Sequence, residues 1–190
     1  MTLDFAAARL NMLDGQVRTS DVTDYAIQDA IGIVPREELC PADKRSLAYA
    51  DAEISYAPGR FLMKPRDVAK LLQALRPRAG ERALAVAAPY AAAVMQAMGL
   101  EVDRLDEGDL SAPAGSGYDV VICEQAVSAA PRGWLDALAV GGRMALVERN
   151  GPVGKARLWL NTESGLASRE VFDSSPPMLP GFERRPSFAF

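Results

Sequence analysis

Histidine is absent from all 190 residues. The commonest general base and the commonest zinc ligand are therefore missing. That excludes a Ser-His-Asp hydrolase and a histidine-ligated zinc site, and no metal site is expected. Chemistry that needs no strong base, such as methyl transfer to a carboxylate, stays open. Cysteine is scarce: Cys40 and Cys123 stand alone and far apart. They exclude a disulfide framework and suit free thiols in a reducing compartment. Positive charge is not in excess, since 21 Lys and Arg face 25 Asp and Glu for a net charge of −4. A nucleic-acid partner, whose phosphates demand a basic face, is not expected. No apolar run reaches the roughly 18 residues of a membrane span, and the first residues lack the basic, apolar, small-residue pattern of a signal peptide. The expectation is a soluble, cytoplasmic protein with no membrane partner.

What is present is an apolar content of 49%, enough for one substantial core with an appendage. The chain is organised around Gly80 to Gly99, GERALAVAAPYAAAVMQAMG. Ala83 to Ala87 reads as a strand and Tyr90 to Met98 as a helix, with a turn of two or three residues between. Strand, tight turn and helix open a Rossmann-like unit, where a nucleotide cofactor usually sits. Such a turn is glycine-rich so that backbone approaches the ligand closely. Here it is Ala87-Ala88-Pro89. It contains no glycine, and Pro89 offers no N–H.

Around that unit the punctuation predicts further elements. Asp4 caps a helix from Phe5 to Leu13 that Gly15 ends. Asp21 caps a second, from Val22 or Thr23 to Ile31. Pro35 opens a short helix with Arg36, Glu37 and Glu38, closed by Pro41. Pro58-Gly59 marks a turn. Pro65 opens a helix to Leu75 with an apolar stripe at Val68, Ala69, Leu71 and Leu72. Val102 to Leu105 is a second strand with Asp106 at its end, where many nucleotide-binding domains carry an acid for ribose. Glu107 to Tyr118 supplies twelve residues before the strand Asp119 to Cys123, too few for a helix and another strand. Glu124 and Gln125 follow that strand at its carboxyl end, where open α/β sheets bind ligands. A helix over Trp134 to Ala139 stops at Gly141-Gly142, and Arg143 to Val147 is the next strand. Ala156 to Leu160 and Ser168 to Phe172 form a hairpin. Ser174 to Phe182 is a proline-rich extended segment, and Phe182, Phe188 and Phe190 are placed to dock on the domain or on another chain.

Several strings carry a resemblance. NMLDGQVRTSDVTD (Asn11 to Asp24), VPREELCP (Val34 to Pro41), AYAD (Ala48 to Asp51) and PRGWLDALAVGGRMALV (Pro131 to Val147) resemble, in order, segments of protein-L-isoaspartate O-methyltransferases. The resemblance covers most of the chain. It implies a methyltransferase-type α/β fold, S-adenosylmethionine as methyl donor, and the abnormal carboxylate of isoaspartyl residues as acceptor, in protein repair. The fold class expected is thus a reduced Rossmann-like methyltransferase fold, mostly parallel, with a C-terminal antiparallel hairpin. Residues 1–75 are a helical appendage, 76–173 the α/β core, and 174–190 a tail.

The departures from the family matter as much. Its Thr-Ile-Ser-Gln-Pro-like string, whose serine helps hold substrate carboxylate and donor, aligns so that Met63 takes the serine position and Lys64 the glutamine. A thioether donates no hydrogen bond. Arg60 and Lys64 read as solvated surface cations. The glycine loop is two residues shorter and its glycines are gone, Ala85 replaces the acid inside the strand, and a crossover helix with its outer strand is missing. The residues placed to line any cofactor pocket are Ala87, Ala88, Tyr90, Asp106 and Glu124. The expectation is a non-catalytic relative with no cofactor bound, acting as a binding or assembly module. Its partner would be protein, itself or another chain, at the shortened sheet edge or the C-terminal tail. The alternatives are an active S-adenosylmethionine-dependent enzyme, or a crevice for another small acid or nucleotide.

Overall fold

The computed structural model describes residues 4–184; Phe188 and Phe190 lie outside them. The first helix, α1 (Phe5–Met12), is capped as expected, the Asp4 carboxylate accepting the Ala7 N–H at 3.0 Å. It does not stop at Gly15. A π-turn, Leu13–Val17, and a 3₁₀ turn, Arg18–Ser20, continue it and bury Leu13 and Val17. Gly15 has no positive φ, so nothing there reverses the chain; the break comes at Asp21, φ 61°. Asp24, not Asp21, caps α2 (Tyr25–Ile33), its carboxylate accepting the Ala26 and Ile27 N–H groups. Two 3₁₀ turns follow, Arg36–Leu39 and Ala42–Leu47.

Pro58-Gly59 turns a small hairpin, β1 (Ile54–Ala57) and β2 (Arg60–Leu62). Proline then opens α3 (Pro65–Leu75), where it removes no intrahelical bond. Val68, Leu71, Leu72 and Leu75 recur at helical spacing and are fully buried. Each such leucine contributes about 1.5–3 kcal/mol. The central unit is β3 (Arg82–Val86), α4 (Pro89–Ala97) and β4 (Glu101–Leu105). β5 (Tyr118–Val127), α5 (Arg132–Asp136), β6 (Leu138–Glu148), β7 (Lys155–Thr162) and β8 (Gly165–Asp173) complete the chain.

The main sheet has the order β4-β3-β5-β6-β7-β8. Pairings are parallel from β4 to β6 and antiparallel at β6–β7 and β7–β8. The mostly parallel sheet with its C-terminal hairpin is thus the expected Rossmann-like methyltransferase fold. Residues 106–117 form neither helix nor strand, and β4 is left at the sheet edge.

Period-two alternation splits the strands between two apolar clusters. Ala83, Ala85, Val120 and Ile122 face a large cluster with the buried sides of α1 to α4. Leu84, Val86, Val121 and Cys123 face a smaller one closed by Trp134, Leu110 and Leu179. The N-terminal helices therefore share one core with the sheet. Arg9 ties them further, its guanidinium bonding the Glu37 carboxylate at 3.1 Å and the Tyr49 hydroxyl at 2.8 Å.

One other expectation changes. α5 ends at Asp136, and Gly141-Gly142 lies inside β6 rather than after a helix. The pair forms a bulge where the register with β5 shifts between Tyr118 and Val120. Gly141 has φ 84°, and a Cβ on Gly142 would lie 2.6 Å from the Tyr118 carbonyl oxygen. The proline-rich segment is a strap on its own domain. Met178 bridges Ala126 in parallel, the Leu179 N–H donates to the Ala126 carbonyl at 2.8 Å, and Phe182 packs on Trp134 with ring centroids 5.3 Å apart.

Candidate functional site

The carboxyl end of the parallel strands is where a ligand would be sought, and here it is filled by the protein's own groups. β3 ends at Val86, and the chain turns into α4 through Ala87 and Ala88, both fully buried. Ala87 adopts φ 44°, a left-handed conformation that favours glycine. The backbone shape of a glycine turn persists although the glycine does not. Its N–H is spent on the Leu105 carbonyl at 3.0 Å.

Glu124 follows the last residue of β5 paired with β3, Cys123, at an irregularity in the β5–β6 register. Its side chain is wholly buried. One carboxylate oxygen accepts the Ala91 N–H at 2.8 Å and the other accepts the Met63 N–H at 3.1 Å. Ala91 lies in the first turn of α4, so Glu124 occupies the helix N-terminus that an anion would otherwise approach. Burial pushes the Glu124 carboxyl above its ordinary value, against the pull of Arg36 and of the backbone donors. Its neighbour Gln125 is equally buried, accepting the Phe61 N–H at 3.2 Å and donating to the carbonyls of Gly59 and Met178. Hairpin, β5 and strap are thereby locked together. A Cβ on Gly59 would meet Pro180 at 2.7 Å.

Arg36, expected only as part of the short helix opened by Pro35, belongs to this cluster. It is fully buried, donating to the carbonyls of Ala48 at 2.8 Å and Met63 at 2.7 Å, with its guanidinium 4.5 Å from the Tyr90 ring centroid. The one hint was its place inside VPREELCP, a string that resembles the family. Burial raises the Tyr90 phenol well above its usual value. The Tyr90 hydroxyl and one Arg36 nitrogen have no partner among the described residues.

Met63 thus engages this cluster through its backbone on both sides, N–H to Glu124 and carbonyl to Arg36, with a fully buried side chain. The structure brings together Met63, Tyr90 and Glu124, with Ala87 and Ala88 in the turn beside them. Asp106 stands apart, paired with Arg104 at 2.7 Å at the end of β4. Its second carboxylate oxygen and the Tyr56 hydroxyl are buried without partners. Lys64 pairs with Glu53 at 3.8 Å. None of the described cavities is lined by Met63, Ala87, Ala88, Tyr90, Asp106 or Glu124. Among the described residues no group of three or more carboxylates or thiols is placed to hold a metal, and no helix is long and apolar enough to cross a membrane.

This parallel sheet with its β3-α4-β4 opening and antiparallel end defines a Rossmann-like methyltransferase fold. The relatives specify it further. A protein-L-isoaspartate O-methyltransferase of Methylorubrum populi is 32% identical over 92% of this chain and 96% of its own. One of Methylorubrum extorquens is 29% identical over 94% and 91%. A solved protein-L-isoaspartate O-methyltransferase superimposes with a TM-score of 0.75 at 19% identity, over 92% of this chain and 67% of that one. A Plasmodium falciparum structure in complex with S-adenosyl-L-homocysteine does so at 0.75 and 14%, over 90% and 97%. No family model matches the chain. The chain belongs to the protein-L-isoaspartate O-methyltransferase family.

Proposed function

We propose that this chain is a non-catalytic member of its family, which keeps the fold as a binding or assembly module and has given up S-adenosylmethionine. The observation that carries the reading is the Glu124 carboxylate at the N-terminus of α4. A methyl donor seated there would have to displace the Glu124 side chain from the Ala91 and Met63 N–H groups. It would also have to open a turn whose alanines, together with Tyr90, are fully buried. Positioning and electrostatics are what such a site contributes to an in-line transfer. The Glu124 carboxyl group and the Ala91 and Met63 N–H groups are already satisfied by one another, and they do not fit the donor.

The outer edge of β4 is the surface the module would use. Glu101, Asp103 and Arg104 on it are exposed, and an added strand from a partner protein, or from a second copy of this chain, would satisfy its free backbone groups. Family membership supports the alternative, an active protein-L-isoaspartate O-methyltransferase, the name its relatives carry. Calorimetric titration with S-adenosylmethionine and S-adenosylhomocysteine separates the two. The proposal expects no saturable heat from folded protein and no methyl transfer to an isoaspartyl peptide. Saturable binding followed by transfer would give the enzyme reading precedence.

A further inference from the structure

At the opposite, amino end of the parallel strands lies a groove of about 770 Å³. Its walls come from three parts of the chain: the Ser20–Asp24 loop, the C-terminal half of α3 with residues 76–78, and β8. Lys70, Arg76, Arg78 and Arg169 line it together. Arg76, Arg78 and Arg169 are exposed, and among the described residues their guanidinium groups make no ion pair and no hydrogen bond. This is unusual in a chain of net charge −4. Most of its other arginines are spent on carboxylates, as with Arg82 on Asp103 and Arg157 on Glu148 and Glu170.

Unpaired cations that line one groove repel each other, and a groove concentrates their field; Asp21 and Asp24 on the loop wall offset only part of it. The groove is also otherwise prepared. The Gln73 side chain accepts the Thr23 and Asp24 N–H groups and donates to the Asp21 carbonyl, which fixes the facing loop. The Lys70 ammonium lies 4.4 Å from the Phe172 ring centroid. Arg143 donates to the Arg76 carbonyl, so the negative end of the α3 dipole is already met. The hydroxyl of Thr23 and the carboxylate of Asp21 stand on the loop wall.

We infer that this groove binds a phosphorylated small molecule of nucleotide size, two adjacent phosphoryl groups meeting Arg76, Arg78 and Arg169 and the hydroxyl-bearing portion meeting Thr23 and Asp21. The guanidinium fork matches phosphate oxygens in pairs, and the volume lies in the range of small-molecule sites. The inference is independent of the methyl-donor reading, because the groove lies at the other end of the sheet.

The test is calorimetric titration of the full chain with inorganic pyrophosphate and with adenosine diphosphate, at low and at near-physiological salt. Saturable one-to-one binding of both is expected, each excluding the other and each weakening as salt rises. The double variant Arg78→Glu/Arg169→Glu, checked for an unchanged circular dichroism spectrum, is expected to bind about tenfold more weakly or worse. Arg45→Glu, exposed and outside the groove, is expected to bind as the parent does. Absence of saturable binding at about millimolar ligand overturns the inference, as does binding that the double variant retains. A short RNA that displaces adenosine diphosphate at far lower concentration would also overturn it, by making the groove a nucleic-acid surface.

Discussion

Replacing Glu124 with glutamine isolates what the buried carboxylate does. Both of its oxygens accept a backbone N–H, from Ala91 and from Met63. Glutamine keeps the shape but turns one acceptor into a donor, so one buried N–H is left facing an N–H. An unsatisfied buried donor costs about 1–3 kcal/mol. The pH dependence follows from linkage. Burial holds the folded Glu124 carboxyl above its ordinary value of 4.5. The folded state then binds the proton more readily than the unfolded state, and stability falls as pH rises from about 4.5 toward the folded value. Each unit of upward shift removes about 1.4 kcal/mol. Glutamine does not titrate. The stability of the parent relative to Glu124→Gln should therefore fall as pH rises. Urea unfolding followed upward from about pH 4.5 reads this directly. A relative stability that rises with pH would refute the reasoning. It would mean that Arg36 and the amide donors outweigh burial and hold the carboxyl below its usual range.

Other expectations follow from the same neighbourhood. Ala87→Gly relieves the left-handed backbone but loses a buried methyl group, so the terms nearly cancel and stability should change by less than about 0.5 kcal/mol. Ala88→Gly, at φ −136°, has nothing to relieve and should lose about 1 kcal/mol. Equal losses in urea unfolding would count against strain at Ala87. Arg36→Ala leaves two buried carbonyls without donors and should cost about 3 kcal/mol or more, with lysine failing to restore both bonds; full rescue by Arg36→Lys would contradict the two-carbonyl role. Leu179→Ala, in the fully buried anchor of the strap, should cost about 2–4 kcal/mol and speed proteolysis near residue 180. An unchanged unfolding midpoint would mean that the strap contributes little.

Local signals were legible where they were covalent or periodic. Pro65 and the stripe through Leu71 and Leu72 placed α3 to the residue, and short apolar runs placed the middles of β3 to β8 though not the full lengths of β5 and β6. The short link after Asp106 forecast the exposed edge of β4. Signals with two physical meanings misled. Gly141-Gly142 reads like a helix stop, yet serves the close approach of Tyr118. Asp21 and Asp24 are both good caps, and which one faces the helix is decided by Gln73 from fifty residues away. The site was legible as a position and not as an arrangement. Glu124, expected just after a strand ending at Cys123, lies inside β5, which runs on to Val127, although its pairing with β3 does stop at Cys123. Its partners Ala91 and Met63, and the burial of Arg36 beneath Tyr90, are tertiary contacts with no spacing to announce them. The alanine turn kept a glycine conformation that composition alone argues against.

The most direct measurement is an amide NMR titration of the full chain with S-adenosylhomocysteine, following the Ala91 and Met63 N–H signals. If Glu124 permanently occupies the N-terminus of α4, neither signal shifts at ligand concentrations far above those that saturate a methyltransferase. Saturable shifts at both amides would show that the carboxylate yields its place to the cofactor, and would contradict the account.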